Sequence, residues 1–195
     1  MSADELGNDI KNVAVPVTGR GALAPFGTTI PTPVEGKELS LALDEAFRTL
    51  GLRTTDGAPE WAWEKDGDDI EFFEEGYRIP SGLANVTCKM ILAETSPFVR
   101  EVISGKKPDA NGYITFDGGG HDTRYVLWTE EAFKNLDVRR RVAPWATVQS
   151  AVEIKPERGQ PLRYEITFKI ERHASVGGDH FGEWYIKGTE TVPED

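Results

Sequence analysis

Cysteine is nearly absent: Cys88 stands alone among 195 residues, so no intramolecular disulfide can staple the chain. Long apolar runs are missing as well. None approaches the roughly 20 residues that a helix needs to cross a bilayer, so no membrane segment is expected. The opening residues MSADELGNDI contain neither a basic nor an apolar stretch, and no secretory signal is expected from them. Positive charge is scarce: 22 Lys and Arg face 33 Asp and Glu, leaving a formal charge of −11. Such a chain repels a phosphate backbone instead of neutralising it by counterion release, so tight nucleic-acid binding is not expected. DNA passing an acidic surface would be kept from sticking. Catalytic signatures are missing too. No G-x-S-x-G elbow, P-loop or dinucleotide fingerprint occurs, and His173 has no serine or cysteine motif near it. The chain reads as a non-enzyme that needs no cofactor.

What is present points to β structure. The length suits one compact domain, and 12 Pro and 20 Gly with a hydrophobic share of 38% favour many turns over a helical fold. Residues 1–36 are polar and then rich in Gly, Pro and Thr. They read as an extended arm with short strands near Val13–Val17 and Ala22–Phe26. The segment FRTLGLR from Phe47 to Arg53 suits a strand. A loop over 57–80 follows, combining Trp61, Trp63, Phe72, Phe73 and Tyr77 with Asp66, Asp68, Asp69, Glu71, Glu74 and Glu75. Val86, Cys88, Met90 and Leu92 alternate with Thr87, Lys89 and Ile91, as in a strand with one buried face. Ser96 and Pro97 open a short helix over about 96–104, and Gly105 stops it.

Further strands are expected around Ile114–Phe116 and Tyr125–Trp128. Two longer ones should follow. In the first, Val142, Pro144, Ala146, Val148, Ser150, Val152 and Ile154 share one parity. In the second, Leu162, Tyr164, Ile166, Phe168 and Ile170 do so. A last strand spans Glu183–Lys187. The organisation is thus an arm at 1–36, a β domain at 37–187 and an acidic tail at 188–195.

Several groups admit a chemical or a plainer reading. His121 with Asp122, and Asp179 with His180, lie in Gly-rich turns where such residues are ordinary turn formers, and their spacing fits no metal template. Cys88 falls on the apolar parity of its strand and reads as core. Trp61 and Trp63 share a face and could stack on a sugar, or pack inside the fold or against a neighbour. Arg139, Arg140 and Arg141 are too short a run for a nucleic-acid patch but could meet acids on a partner.

The order of segments carries a resemblance. GALAPFGTTIPTP is followed by FRTLGLRTTDG, then DDIEFFEEGYRIP, a strand closing in LAET, a helix ending at ISG, RRRVAPWATVQSAVEI and YEITFKIE. This succession, from about Val13 to Ile186, resembles the major tail tube proteins of siphovirus-type long-tailed bacteriophages, particularly those infecting actinobacteria. The resemblance implies a mainly β fold of two packed antiparallel sheets, sandwich-like or barrel-like, with one short helix. It implies hexameric rings stacked into a tube through which the genome is ejected, in a virion tail assembled in the host cytoplasm. Partners would be further copies of the chain, a tape-measure protein, tail terminator and baseplate proteins, and DNA in passage.

Contacts between subunits or rings are expected first at Val13, Val15, Phe26, Trp61, Trp63, Phe72, Phe73, Tyr77, Arg139, Arg140 and Arg141. The acidic residues of the 57–80 loop and its flank are expected to face the lumen or an interface. Two alternatives stay open: another tail ring of the same fold, terminator or baseplate, and a monomeric β-sandwich that binds carbohydrate through its tryptophans.

Overall fold

The computed structural model describes residues 5–6 and 8–188; most of the acidic tail expected at 188–195 lies outside the described residues. Strands dominate: β1 (Pro16–Pro25), β2 (Arg48–Thr49), β3 (Glu60–Asp66), β4 (Ile70–Glu71), β5 (Arg78–Ile79), β6 (Leu83–Leu92), β7 (Arg124–Phe133), β8 (Val138–Ile154), β9 (Arg163–Ile170) and β10 (Gly182–Ile186). One α-helix, α1 (Pro97–Ser104), lies between β6 and β7. The fold is mainly β with antiparallel sheets and a single short helix.

All but β4 and β5 form one antiparallel sheet in the order β2-β1-β7-β8-β9-β6-β3. Ala146 and Thr147 of β8 pair with both β7 and β9, so those two strands flank β8 on opposite edges. β10 pairs with Val138–Val142 on the β9 side, continuing that edge after a turn. The sheet curls until its ends meet. Leu50 donates its N–H to Gly21 of β1, and two residues on, Leu52 O accepts the Ala93 N–H beside a bridge between Arg53 and Leu92 of β6. This short crossing joins the two ends of the curl and gives the body its barrel-like form.

The interior is filled from every wall. Leu23, Leu127, Ala143, Ile166, Phe168, Val86, Cys88, Met90 and Leu92 meet Val99 and Val102 of α1 in one cluster. The helix stops where its sequence signals place it. Ser96 Oγ accepts the Val99 N–H at 3.3 Å, Pro97 occupies the first turn, and Gly105 adopts a left-handed φ of 70°. Cys88 is fully buried, and burial pushes its thiol pKa far up, which leaves it an inert core residue.

A second cluster covers the opposite face of β1, β7 and β8. Ala22, Ala24, Val126, Trp128 and Val142 lie beneath Ile30, Leu41, Leu43, Ala46 and Phe47, with Trp184 of β10 alongside. The chain over 26–47 therefore acts as a strap, nearly devoid of regular structure, that seals this part of the sheet on its outer side.

The sheet departs from the sequence expectations in identifiable ways. Residues 13–26 do not form two short strands: one strand of ten residues runs through the GRG segment, bonded to β7 along its length. Much of the expected arm is thus sheet. FRTLGLR contributes only a two-residue strand and the crossing to β6, and Ile114–Phe116 forms no strand. The long strand β8 does not keep one parity. Register shifts occur opposite Tyr125–Leu127 and between Val148 and Ser150, so Val142 and Ala146 face opposite sides, and Ser150, Val152 and Ile154 oppose the side taken by Ala146 and Val148. Each bulge adds a residue to one strand and resets the alternation; Pro144, which cannot donate to a ladder, sits at the first.

Candidate assembly interface

Four strands present a face that no other described element covers. On β3, β6, β9 and the second half of β8, the outward residues include Glu60, Ala62 and Glu64; Asn85, Thr87 and Lys89; Arg163, Glu165, Thr167 and Lys169; and Thr147, Ser150 and Val152. Lys89 Nζ meets Glu60 Oε2 across the ladder at 2.9 Å. Of the expected acidic residues, only Asp66 reaches this face, at its rim opposite Leu83. Cations and carboxylates are mixed here, so the acidity of the chain is concentrated elsewhere.

The same four strands end in free edges. No described strand pairs with the outer side of β3, and past Thr147 the β7 side of β8 is equally unpaired. Open edges carry unpaired N–H and C=O groups and readily accept another strand.

Between β3 and β6 the chain leaves the body as the hairpin β4–β5. Ile70 pairs with Ile79, and Phe72 donates its N–H to Tyr77, so Ile70, Phe72, Tyr77 and Ile79 share one face while Glu71 and Arg78 share the other. Every residue over 67–80 is exposed, and Phe73 at the tip is 102% exposed. Asp68, Asp69, Glu71, Glu74 and Glu75 face a single cation, Arg78. Ser81 anchors the base by donating its hydroxyl to Asp66 O at 2.6 Å. Of the expected contact residues, the structure thus brings Phe72, Phe73, Tyr77 and the loop acids together on one projection.

The arginine triplet is placed differently. Arg140 is 3% exposed: Nε donates to Glu130 at 2.6 Å, Nη1 to the carbonyls of Gly36 and Glu38 at 2.8 and 2.7 Å, and Nη2 to Leu39 O at 3.3 Å. It holds the strap. Arg139 pairs with Glu131 at 2.7 Å, and Arg141 with Glu183 while lying over Trp61, Trp63 and Phe181. Arg140 and Arg141 are therefore not an exposed basic patch for a neighbour. Each side chain is drawn inward by a carboxylate on the paired strand, a cross-strand relation invisible to a run of like charges.

The tryptophans share a face and both approach Phe181, Trp63 at 6.0 Å, but differ in exposure. Trp61 packs on Phe181 at 4.8 Å beside the core, whereas Trp63 is 60% exposed. They do not form an open stacking platform. Val13 and Val15 are exposed just ahead of β1, and Val15 O accepts the Lys134 N–H at 2.8 Å. His121 is engaged at the end of α1, with Nε2 2.8 Å from Val102 O.

Phe26 belongs to a cluster that sequence reasoning did not assemble. Its ring meets Trp145 at 5.8 Å and His173 at 5.7 Å, both edge-on, and the Arg124 guanidinium lies 4.6 Å over Trp145 and 5.6 Å from Phe26. These residues come from four separate stretches of chain, which the bulge at Trp145 and the turn after β1 help to bring together. No motif or spacing could have announced them.

No family model matches the chain, and no curated protein matches it. Among solved structures, the chain is similar to the SPP1 tail tube, a hybrid solid-state NMR and cryo-EM structure represented by its NMR ensemble. The likeness covers 91% of this chain and 81% of that one, at 11% identity and a TM-score of 0.39.

Proposed function

We propose that the chain is a self-assembling structural subunit of a bacteriophage tail tube, with copies joined side by side into rings and the rings stacked end to end. The observation that carries this reading is the uncovered polar face of β3, β6, β9 and β8, bounded on both sides by free antiparallel edges. Joining the β3 edge of one copy to the β8 edge of the next would continue that sheet from subunit to subunit. Because the two edges are different surfaces, the contact is heterologous, and such contacts close into rings when the rotation allows.

The joined faces would form a polar wall around a channel. Mixed Lys, Arg, Thr and Glu side chains on such a wall offer water-filled passage without a continuous basic track to hold a polyanion. The order of sequence segments supports the same reading, and six subunits per ring is the number that resemblance implies. In this reading the protein has no enzymatic role, is part of the virion tail and has further copies of itself as its main partners.

The test is negative-stain electron microscopy of the purified, concentrated protein. Hollow tubes or stacked rings with a central channel are expected. Particles that stay dispersed as monomers at every concentration and salt tried would overturn the proposal.

A further inference from the structure

The barrel interior is not apolar at every level. Thr129 and Glu131 share the inward side of β7 with Leu127, opposite Gly21 and Gly19 of β1 on one flank and Arg141 and Arg139 of β8 on the other. Arg53 reaches in from the crossing that closes the curl and lies against the two glycines. A methyl group on Gly19 would stand 3.3 Å from its Nη2, and one on Gly21 would stand 3.6 Å from its Nη1. The GRG segment of β1 thus leaves the guanidinium room where side chains would otherwise fill the wall.

The charges at this level do not balance. Glu131 Oε2 accepts from Arg139 Nε at 2.8 Å and Nη2 at 2.7 Å, and Arg141 pairs with Glu183. Arg53 forms no ion pair among the described residues, which leaves three guanidiniums against two carboxylates; burial pulls its pKa below the ordinary value, and the charge of Glu131 opposes this. Its Nη1 is buried without a partner. So is Oγ1 of Thr129, a residue 1% exposed and paired with Gly21, and so is Nε1 of Trp61, beside Cys88 on the facing wall. A buried donor left unmet costs free energy. Arg and Trp nitrogens can only donate, so a water accepting from them would still have its own two protons to place. A monatomic anion has none to place, and it supplies the missing charge.

We propose that the barrel interior holds one small inorganic anion of the chloride class, with Arg53 Nη1 and the Thr129 hydroxyl as its donors. The ion ties the crossing to β7 and so helps to hold the curl closed. The site lies within one copy of the chain and does not depend on the self-assembly reading.

The experiment is urea unfolding of the full-length protein, followed by tryptophan fluorescence at a concentration below polymer formation. Chloride replaces gluconate at constant ionic strength, so that screening stays fixed. An ion bound only by the folded state raises the folding constant about tenfold for each tenfold rise in chloride above its dissociation constant. The parent shows this dependence, Arg53→Met loses it, and Thr129→Val, which keeps the side-chain volume, needs several-fold more chloride for the same gain. A parent whose folding constant ignores chloride overturns the site. So does either variant if it responds as the parent does. If Arg53→Met does not fold, Thr129→Val decides alone.

Discussion

The barrel body and the β4–β5 hairpin are both antiparallel β structure rich in aromatics, yet they treat those aromatics in opposite ways. Trp128 in the body is 0% exposed, whereas Phe73 on the hairpin is 102% exposed. In the body, the buried apolar residues meet another layer: α1 and the facing wall inside, the strap outside. The hairpin has Ile70, Phe72, Tyr77 and Ile79 on one face, and all four are exposed among the described residues. A two-stranded ribbon in water is marginal alone, because pairing without a covering layer removes little surface from solvent. The difference teaches that burial in the body serves the monomer, while the hairpin's apolar face gains nothing from any other described element.

That division predicts unequal consequences. Trp128→Ala has the largest expected effect: it opens a cavity under the strap and costs about 3–5 kcal/mol, the usual range for truncating a buried aromatic. Urea denaturation followed by tryptophan fluorescence measures it, and a loss under about 1 kcal/mol would mean that the second cluster contributes little to the body.

Arg140→Ala comes next, at about 3 kcal/mol, the low end for breaking a buried pair because Arg20 still faces Glu130 at 3.0 Å. Its signature is local as well as global. The carbonyls of Gly36, Glu38 and Leu39 lose their donor, so the strap should become the first site of limited proteolysis, ahead of the hairpin.

Much of the body was legible in the sequence and the strap was not, for a physical reason. Val86, Cys88, Met90 and Leu92 alternate because one face of β6 is buried, and Ser96, Pro97 and Gly105 mark α1 through local backbone chemistry. These signals depend on neighbours in the chain. Ile30, Leu41, Leu43 and Phe47 follow no period because the strap has no regular structure; only the sheet beneath it decides which of them are buried. The bulges of β8 hid its change of face for a related reason: an alternating run of Val, Ala and Ile reads the same whether or not a residue is inserted. The burial of Arg140 and Arg141 depends on Glu130 and Glu183, which only the pairing of strands brings alongside them. The hairpin was legible as a loop rich in acids and aromatics, while the cluster of Phe26, Arg124, Trp145 and His173 was not.

A smaller effect concerns the far end of the body. The Asp137 carboxylate accepts the Gly188 N–H at 2.9 Å and faces Lys187 Nζ at 3.1 Å. The Gly188 N–H holds its pKa below the ordinary 3.8; burial opposes this, while Lys187 and the Tyr185 hydroxyl add to the lowering. A lowered folded value means that the ionised form supports the fold. The contribution is complete above the unfolded carboxylate value, near 4, and is lost as pH falls through the lower folded one. Amide exchange at Gly188 should therefore accelerate relative to the core amides below about pH 4. Asp137→Asn should remove this difference, and a variant that keeps it would assign the acid sensitivity to another group.

The smallest effect on stability is expected where the effect on assembly is greatest. Phe73→Ser removes the most exposed ring in the hairpin, and because that ring touches no layer of the body, the urea midpoint should shift by no more than about 0.5 kcal/mol. The same substitution should raise the concentration at which polymers form by tenfold or more, since a large aromatic at the centre of a joint is the kind of residue that dominates binding energy. Measuring both quantities on one preparation separates the roles. A stability loss as large as that of Trp128→Ala would make the hairpin part of the body's core. An unchanged polymerisation threshold would rule out an intermolecular role for its apolar face.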